Sequence, residues 1–251
     1  MRIDYPAEGQ LPQLRQLWKE AFGDDDAFLS SFFGSVFSPD RCRCMTEEGQ
    51  VTAALYWLDC RHEERPLAYL YAVATHKKHR GKGLCRALMA DTHRLLKELG
   101  YAGAILVPGE PGLFEMYRSM GYKLCSHVRQ WRCAAADQGM ALREIDRAEY
   151  AALRRQYLPQ GGVVQEDQNL TLLCSMTRLY AGENVLLCAR DERGSLLCPE
   201  LLGDQAAAPR ILAALQYDQG TFRGPGQEQA FAMYHPLSAA PAPQYFGLAF
   251  D

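Results

Sequence analysis

Tyr71-Ala72-Val73-Ala74-Thr75-His76-Lys77-Lys78-His79-Arg80-Gly81-Lys82-Gly83-Leu84-Cys85-Arg86 is the stretch on which the reading of this chain turns. It opens inside a run from Pro66 to Thr75 that is almost wholly apolar or aromatic, the pattern of a buried central strand. A loop rich in cations and glycine follows over 76–83. A helix begins at once, over roughly 83–98, with Leu84, Leu88, Leu95 and Leu99 predicted on one stripe. Gly100 is placed to cap its end. A helix N-terminus presents unpaired backbone N–H groups and a partial positive charge. Glycine lets a bulky anion come close to the backbone. Strand, loop and helix with this chemistry make a cradle for a pyrophosphate.

Two familiar cradles do not fit. A nucleotide-hydrolase loop needs Gly-Lys followed by Ser or Thr for the metal, and here Gly81-Lys82 is followed by Gly83. A dinucleotide fold needs three spaced glycines and an acidic residue further on, within a different strand order.

Outward from the loop, residues 1–5 read as a short strand and 10–22 as a helix carrying Leu11, Leu14, Leu17, Trp18 and Phe22. Gly23 ends it. The triplet Asp24-Asp25-Asp26 offers an N-cap to a second helix bearing Phe28, Leu29, Phe32, Phe33, Val36 and Phe37. Capping is preferred over attraction of a cationic substrate. Strands follow at 41–46, 51–60 and 66–75, then the loop and long helix, then a strand over 102–107. Pro111 starts a short helix that ends at Gly121, and a strand runs from Tyr122 to about Cys133. The order β-α-α-β-β-β-α-β-α-β mixes an antiparallel meander with one parallel crossover.

At this point the residues resemble a known family. Arg80, Gly83 and Cys85 fill the pattern Gln/Arg-x-x-Gly-x-Gly/Ala of the GNAT superfamily of acetyl-CoA-dependent N-acetyltransferases, with Cys85 departing from Gly or Ala. Leu113-Phe114-Glu115-Met116-Tyr117-Arg118-Ser119-Met120-Gly121-Tyr122 resembles the family's helix with a Tyr four residues before a Gly-aromatic pair. The resemblance implies an α/β fold with a mixed, mostly antiparallel central sheet flanked by helices. It implies that acetyl-CoA is the co-substrate, and that Arg80, Gly81, Lys82, Gly83, Leu84 and Cys85 grip its pyrophosphate. It also implies that Val73, Ala74 and Thr75 pair with the pantetheine, that Phe114 contributes to the cofactor site, and that Tyr117 protonates the departing thiolate. The expected activity is transfer of an acetyl group to a primary amine of a small molecule or peptide. A GNAT-like acyl-CoA sensor without transfer, and an enzyme using a longer acyl chain or another acceptor, stay open.

Ala134 to Gly139 is small, polar and unpatterned, as a linker should be. Beyond it the pattern restarts. Leu142-Arg143-Glu144-Ile145-Asp146 matches Met1-Arg2-Ile3-Asp4, and Leu153-Arg154-Arg155-Gln156-Tyr157 matches Leu14 to Trp18. A helical stretch from Leu170 to Tyr180, paired runs Asn184–Asp191 and Ser195–Leu202, a helix Arg210–Gln216 and strands near 229–237 and 244–250 complete it. This suggests an internal duplication. Where the copy should carry its loop it has Gly203-Asp204-Gln205-Ala206-Ala207-Ala208-Pro209, with no basic residue. The expected domains are therefore 1–135, catalytic, and 140–251, a degenerate unit that binds no coenzyme.

Composition narrows the field. The chain has 251 residues, 48% hydrophobic and 23% charged, with net charge -3, which gives no support for a nucleic-acid partner. Residues 1–135 carry 18 Lys+Arg against 16 Asp+Glu, and residues 136–251 carry 9 against 14. The nine cysteines lack zinc-knuckle spacing and read as buried free thiols, so no metal is expected. Cys42 and Cys44 should face one side of a strand. No apolar run approaches the ~20 residues that span a membrane, and no apolar leader opens the sequence. A cytoplasmic monomer or homodimer is expected. No general base stands out: Glu63 and Glu64 fall on a turn, and His76 and His79 should face solvent or phosphate. The tail ending in Asp251 is a candidate only if its terminal carboxylate reaches the site.

Overall fold

The computed structural model describes residues 1–250; Asp251, and with it the terminal carboxylate, lies outside the described residues. The chain forms two compact units that interleave along the sequence. The first comprises Met1–Leu106, Gly112–Lys123 and Tyr234–Pro241.

In the first unit the elements are β1 (Arg2–Asp4), α1 (Leu11–Phe22), α2 (Asp26–Ser35), β2 (Cys42–Glu47), β3 (Gln50–His62), β4 (Arg65–Thr75), α3 (Leu84–Glu98), β5 (Gly103–Leu106) and α4 (Pro111–Arg118). Strands β1 to β4 pair antiparallel in chain order, and β5 joins β4 in parallel. Asp25 caps α2 by accepting from the Phe28 N–H, while Asp24 accepts from the Trp18 indole and Asp26 pairs with Lys19. The acidic triplet is therefore spent on helix ends, as capping requires. Glu63 and Glu64 sit at φ 48° and 62° in the tight turn between β3 and β4.

The two faces of this sheet differ. On one, Trp18 packs against Phe32, Tyr56 and Tyr71 at ring separations of 4.5–5.4 Å. Cys42 stands opposite Tyr56 in the β2–β3 register and so shares that face. On the other, Arg43 reaches Asp91 of α3, with Nε 3.1 Å from Oδ2. The buried stripe of α3 is Leu84, Leu88, Met89, Thr92 and Leu96. Leu95 is only partly buried and Leu99 is 49% exposed, so the predicted stripe is displaced by about a third of a turn at its C-terminal end. Leu99 is out because the helix stops there: Gly100 at φ 85° donates to Lys97 O, and Tyr101 N–H to Leu96 O.

The segment Tyr234–Pro241 completes the first unit. Leu237 donates its N–H to Ala102 O at 3.0 Å, and the Tyr234 hydroxyl donates to the same oxygen at 3.2 Å. A Cβ on Gly103 would overlap the Tyr234 ring, so glycine is required there by space.

The second unit contains β6 (Lys123–Ala134), β7 (Leu142–Glu144), α5 (Arg147–Tyr157), β8 (Val164–Gln165), α6 (Gln168–Met176), β9 (Arg178–Gly182), β10 (Val185–Glu192), β11 (Ser195–Gly203), α7 (Ala208–Leu215), β12 (Gln219–Pro225) and most of β13 (Gln229–Pro236). Pairing of β7 with β9, β9 with β10 and β10 with β11 is antiparallel, and β11 with β12 parallel. That is the pairing scheme of β1 through β5, down to a register shift in the pair before the crossover helix. Three expectations need correction. The helix from Leu170 ends at Met176, because Thr177 turns extended and Arg178–Gly182 alternates as a strand. Strand β12 carries Gly220, Gly224 and Pro225, poor strand formers that hide it in sequence. Residues 244–250 form no strand beyond a bridge between Gly162 and Tyr245; backbone bonds to Gly161 and Val163, and side chains of Gln165 and Ser126, hold them.

Candidate active site

Strand β4 pairs with β5 at Leu67↔Gly103, Ala68↔Ala104 and Tyr69↔Ile105, and then runs on to Thr75. Past that pairing the register with β3 shifts between Ala54 and Tyr56, and Ala72 takes φ +48°, unusual for a residue with a Cβ. Beyond the bulge Ala74 and Thr75 still pair with Ala54 and Ala53 of β3, while the pairing with β5 is confined to Leu67, Ala68 and Tyr69. Val73 and Thr75 stay partly exposed while Ala74 is buried.

The predicted loop is a short 3-10 turn, Lys77–His79, followed by Arg80 to Gly83. Arg80 Nε donates to Thr75 O at 3.1 Å and ties the loop back to the strand. Gly81 and Gly83 have φ +75° and +76°, and a Cβ on either would meet nothing within 4 Å. What glycine supplies here is left-handed backbone, not room. Gly83 caps α3 with no side-chain acceptor, and the first turn holds no acid. Its N–H groups are therefore left for an outside anion. Leu84 is buried against the core, and Lys82 is exposed. Arg86 fixes the other side of the turn by donating to Ser119 O at 2.9 Å and Ser119 Oγ at 2.8 Å.

His76 and His79 do not face open solvent. His76 Nε2 lies 3.5 Å from Glu20 Oε2, and His79 Nδ1 lies 3.5 Å from Glu47 Oε2.

On α4, Phe114 is half-buried and Tyr117 is 6% exposed. Burial, and second the neighbouring Cys85 thiol, push the Tyr117 phenol well above its usual pKa. Burial likewise raises the Cys85 thiol. Loop and helix thus converge: Arg86, next to Cys85 in the first turn of α3, is bonded to Ser119 just beyond the helix of Tyr117. Three residues beyond the sequence reading join them. Tyr122 lies edge-on to Tyr117 with ring centroids 5.7 Å apart. His93 Nε2 is 2.7 Å from the Tyr122 hydroxyl, and His235 stacks on His93 at 4.1 Å and 9°. His93 was open to detection, since it stands two helical repeats of four after Cys85. His235 was not, arriving from the far end of the chain.

The histidine pair gives a pH signature. Burial, and second the facing His235, lower His93 from 6.5 to about 3. The unfolded chain therefore takes up a proton below pH 6.5 that the folded chain refuses until about 3. Stability is full above that window and falls as pH drops through it, by up to about 1.4 kcal/mol per unit for this group. Urea midpoints should decline from pH 6.5 to 4.5, and His93→Gln should flatten the decline. An unchanged slope in the variant would rule out His93 as the source.

In the second unit the matching turn is built differently. Asp204 accepts from Ala206 N–H at 3.0 Å, placing a carboxylate on the donors, and Pro209 occupies the first turn of α7. A cavity of about 360 Å³ in this unit, lined by Leu142, Arg143, Leu153, Tyr157, Glu183 and Val185 among others, includes none of the predicted site residues. Among the described residues no group of three His, Cys, Asp or Glu could hold a metal ion, and no helix is long and apolar enough to cross a membrane.

The family whose model matches is described as an acetyltransferase (GNAT) domain, and the match spans residues 2–125. A search of the curated proteins finds no match. Among solved structures, the chain is similar to a GCN5-related N-acetyltransferase from Anabaena variabilis, with a TM-score of 0.75 at 15% identity over 94% of this chain and 73% of that one. A GCN5-related N-acetyltransferase from Kribbella flavida gives 0.71 at 18% identity over 95% and 72%. One from Sphaerobacter thermophilus gives 0.55 at 11% identity over 98% of both chains. At these identities the likeness carries the fold, and it extends over both units.

Proposed function

On the match of a GNAT acetyltransferase domain model to residues 2–125, we propose that the chain is an N-acetyltransferase moving an acetyl group from acetyl-CoA to a primary amine of a small molecule or peptide. The observation that carries this is the uncapped start of α3 behind two left-handed glycines, tied through Arg86 to the end of α4, the helix that bears Tyr117. The N–H groups and Arg80 hold the pyrophosphate, and the freed end of β4 at Val73 to Thr75 offers backbone to the pantetheine. Transfer is direct. The neutral amine attacks the thioester carbonyl, a C–N bond forms and the C–S bond breaks. The departing sulfur takes the Tyr117 proton, the nitrogen gives one up to water, and water returns a proton to the Tyr117 oxygen. The second unit, with Asp204 on its own turn, binds no coenzyme. We take the two units as products of duplication, and the protein as a cytoplasmic monomer or homodimer.

The test is thiol release from acetyl-CoA across a panel of primary amines, with binding measured in parallel. Gly83→Ala puts a Cβ at φ +76°, which costs about 1–2 kcal/mol. It is expected to weaken acetyl-CoA binding by roughly 5- to 30-fold. Tight binding with no release from any amine would replace the enzyme by a sensor. Unaltered binding in Gly83→Ala would remove the loop as the cradle.

A further inference from the structure

Three polar side chains around Tyr117, the buried Tyr122 and the partly buried His93 and His235, go unused by this mechanism. Tyr122 is 1% exposed, and its hydroxyl needs a partner that a Phe would not. The partner is His93 Nε2 at 2.7 Å. His93 in turn is covered by the parallel ring of His235 at 4.1 Å. His235 also presses on the turn that ends α4. A Cβ on Gly121 would stand 3.0 Å from His235 Cε1 and Nδ1. That turn closes on Tyr117 itself, whose carbonyl accepts from Met120 N–H at 2.9 Å and Tyr122 N–H at 3.1 Å. The backbone of Tyr117 and the ring beside its phenol are thus held by the same two histidines.

We propose that His93 is a positioning residue for Tyr117, acting through the Tyr122 hydroxyl, and that His235 fixes the His93 ring and the turn below Tyr117. The inference rests on the acid role assigned to Tyr117 above. It makes the chain's last strand part of the active site. It also explains why a tyrosine follows Gly121: its ring lies edge-on to Tyr117 and cannot swing while its hydroxyl is bound. A leaving sulfur is served only when the Tyr117 proton is aimed at it, and small misplacements of such groups are expensive in rate.

The experiment uses the full chain with acetyl-CoA and the best amine of the panel. Wild type, Tyr117→Phe, His93→Ala, His93→Gln, Tyr122→Phe and the double variant His93→Ala/Tyr122→Phe are compared in kcat, acetyl-CoA Kd and Tm. His93→Ala should lower kcat about tenfold with Kd within about twofold, and His93→Gln, whose amide reaches the place of Nε2, should restore most of it. In the Tyr122→Phe background His93→Ala should add nothing. Full kcat in His93→Ala, beside an impaired Tyr117→Phe, overturns this inference and leaves the enzyme reading intact. Losses in His93→Ala and His93→Gln that track Tm, or that add to Tyr122→Phe, reduce the histidine to packing and overturn it too. A wild type that releases no thiol with any amine overturns both.

Discussion

Tyr117→Phe is expected to lower the single-turnover rate of thiol release by about 10²- to 10³-fold, the usual worth of a positioned acid. Acetyl-CoA affinity should stay within about threefold. The substitution removes one oxygen from a ring that is 6% exposed, so neither packing nor the phosphate loop is disturbed. The expected pH behaviour is as specific as the size. Burial raises the Tyr117 phenol far above its ordinary value. The donor therefore keeps its proton throughout the range in which an amine becomes neutral, and the wild-type rate should climb with pH without a descending limb below about pH 10. In the phenylalanine protein the thiolate must be protonated by water, and the rate should be low at every pH. A variant with wild-type turnover across that range would show that the ring only packs. A variant that loses acetyl-CoA binding in step with rate would place Tyr117 in binding instead. Single turnover matters, because slow product release would hide part of the effect in kcat.

The loop was legible in sequence because its information is local. Positive-φ glycines, an uncapped helix and the strand before them lie within sixteen residues, and each is dictated by near neighbours. The same holds for the α2 cap and the Gly100 stop. The bulge at Ala72 was not legible. An alanine at φ +48° has no sequence mark, and it exists only because β3 and β4 fall out of step. Nor was the closing of the first unit by Tyr234–Pro241, since that depends on a contact between Ala102 and Tyr234 across most of the chain. Strand β12 was missed because its glycines are needed by space: a Cβ on Gly220 would meet Leu196 O at 2.8 Å and Leu212 Cδ2 at 2.7 Å. Helix α6 was overextended because Arg178 to Tyr180 suit a helix as well as a strand, and pairing with β10 decides between them.

The second unit should be far more sensitive to one buried pair than to any change at its surface. Arg154, 2% exposed, donates Nε to Glu200 Oε2 at 2.7 Å and Nη2 to Oε1 at 3.0 Å, and Glu200 is fully buried. The carboxylate also accepts from the Tyr245 hydroxyl at 3.0 Å, and Arg154 reaches Gln165 Oε1 at 3.3 Å. Gln165 then holds both the carbonyl and the N–H of Leu248, at 2.7 and 3.1 Å. The network thus pins the tail that forms no strand. Arg154→Met strands a carboxylate in an apolar interior and is expected to destabilise by about 3–5 kcal/mol. Arg154→Met with Glu200→Leu removes both charges, leaving only neutral hydroxyl and amide groups to re-pair, and should recover a large part of that loss. Urea unfolding of the two variants at pH 7 measures the difference. If the single change costs under about 1 kcal/mol, the pair is solvated and the tail is held by packing alone. If the double is worse than the single, the network stabilises the unit in its own right, and the tail's register, read from protection of the Leu248 N–H against exchange, should be lost with it.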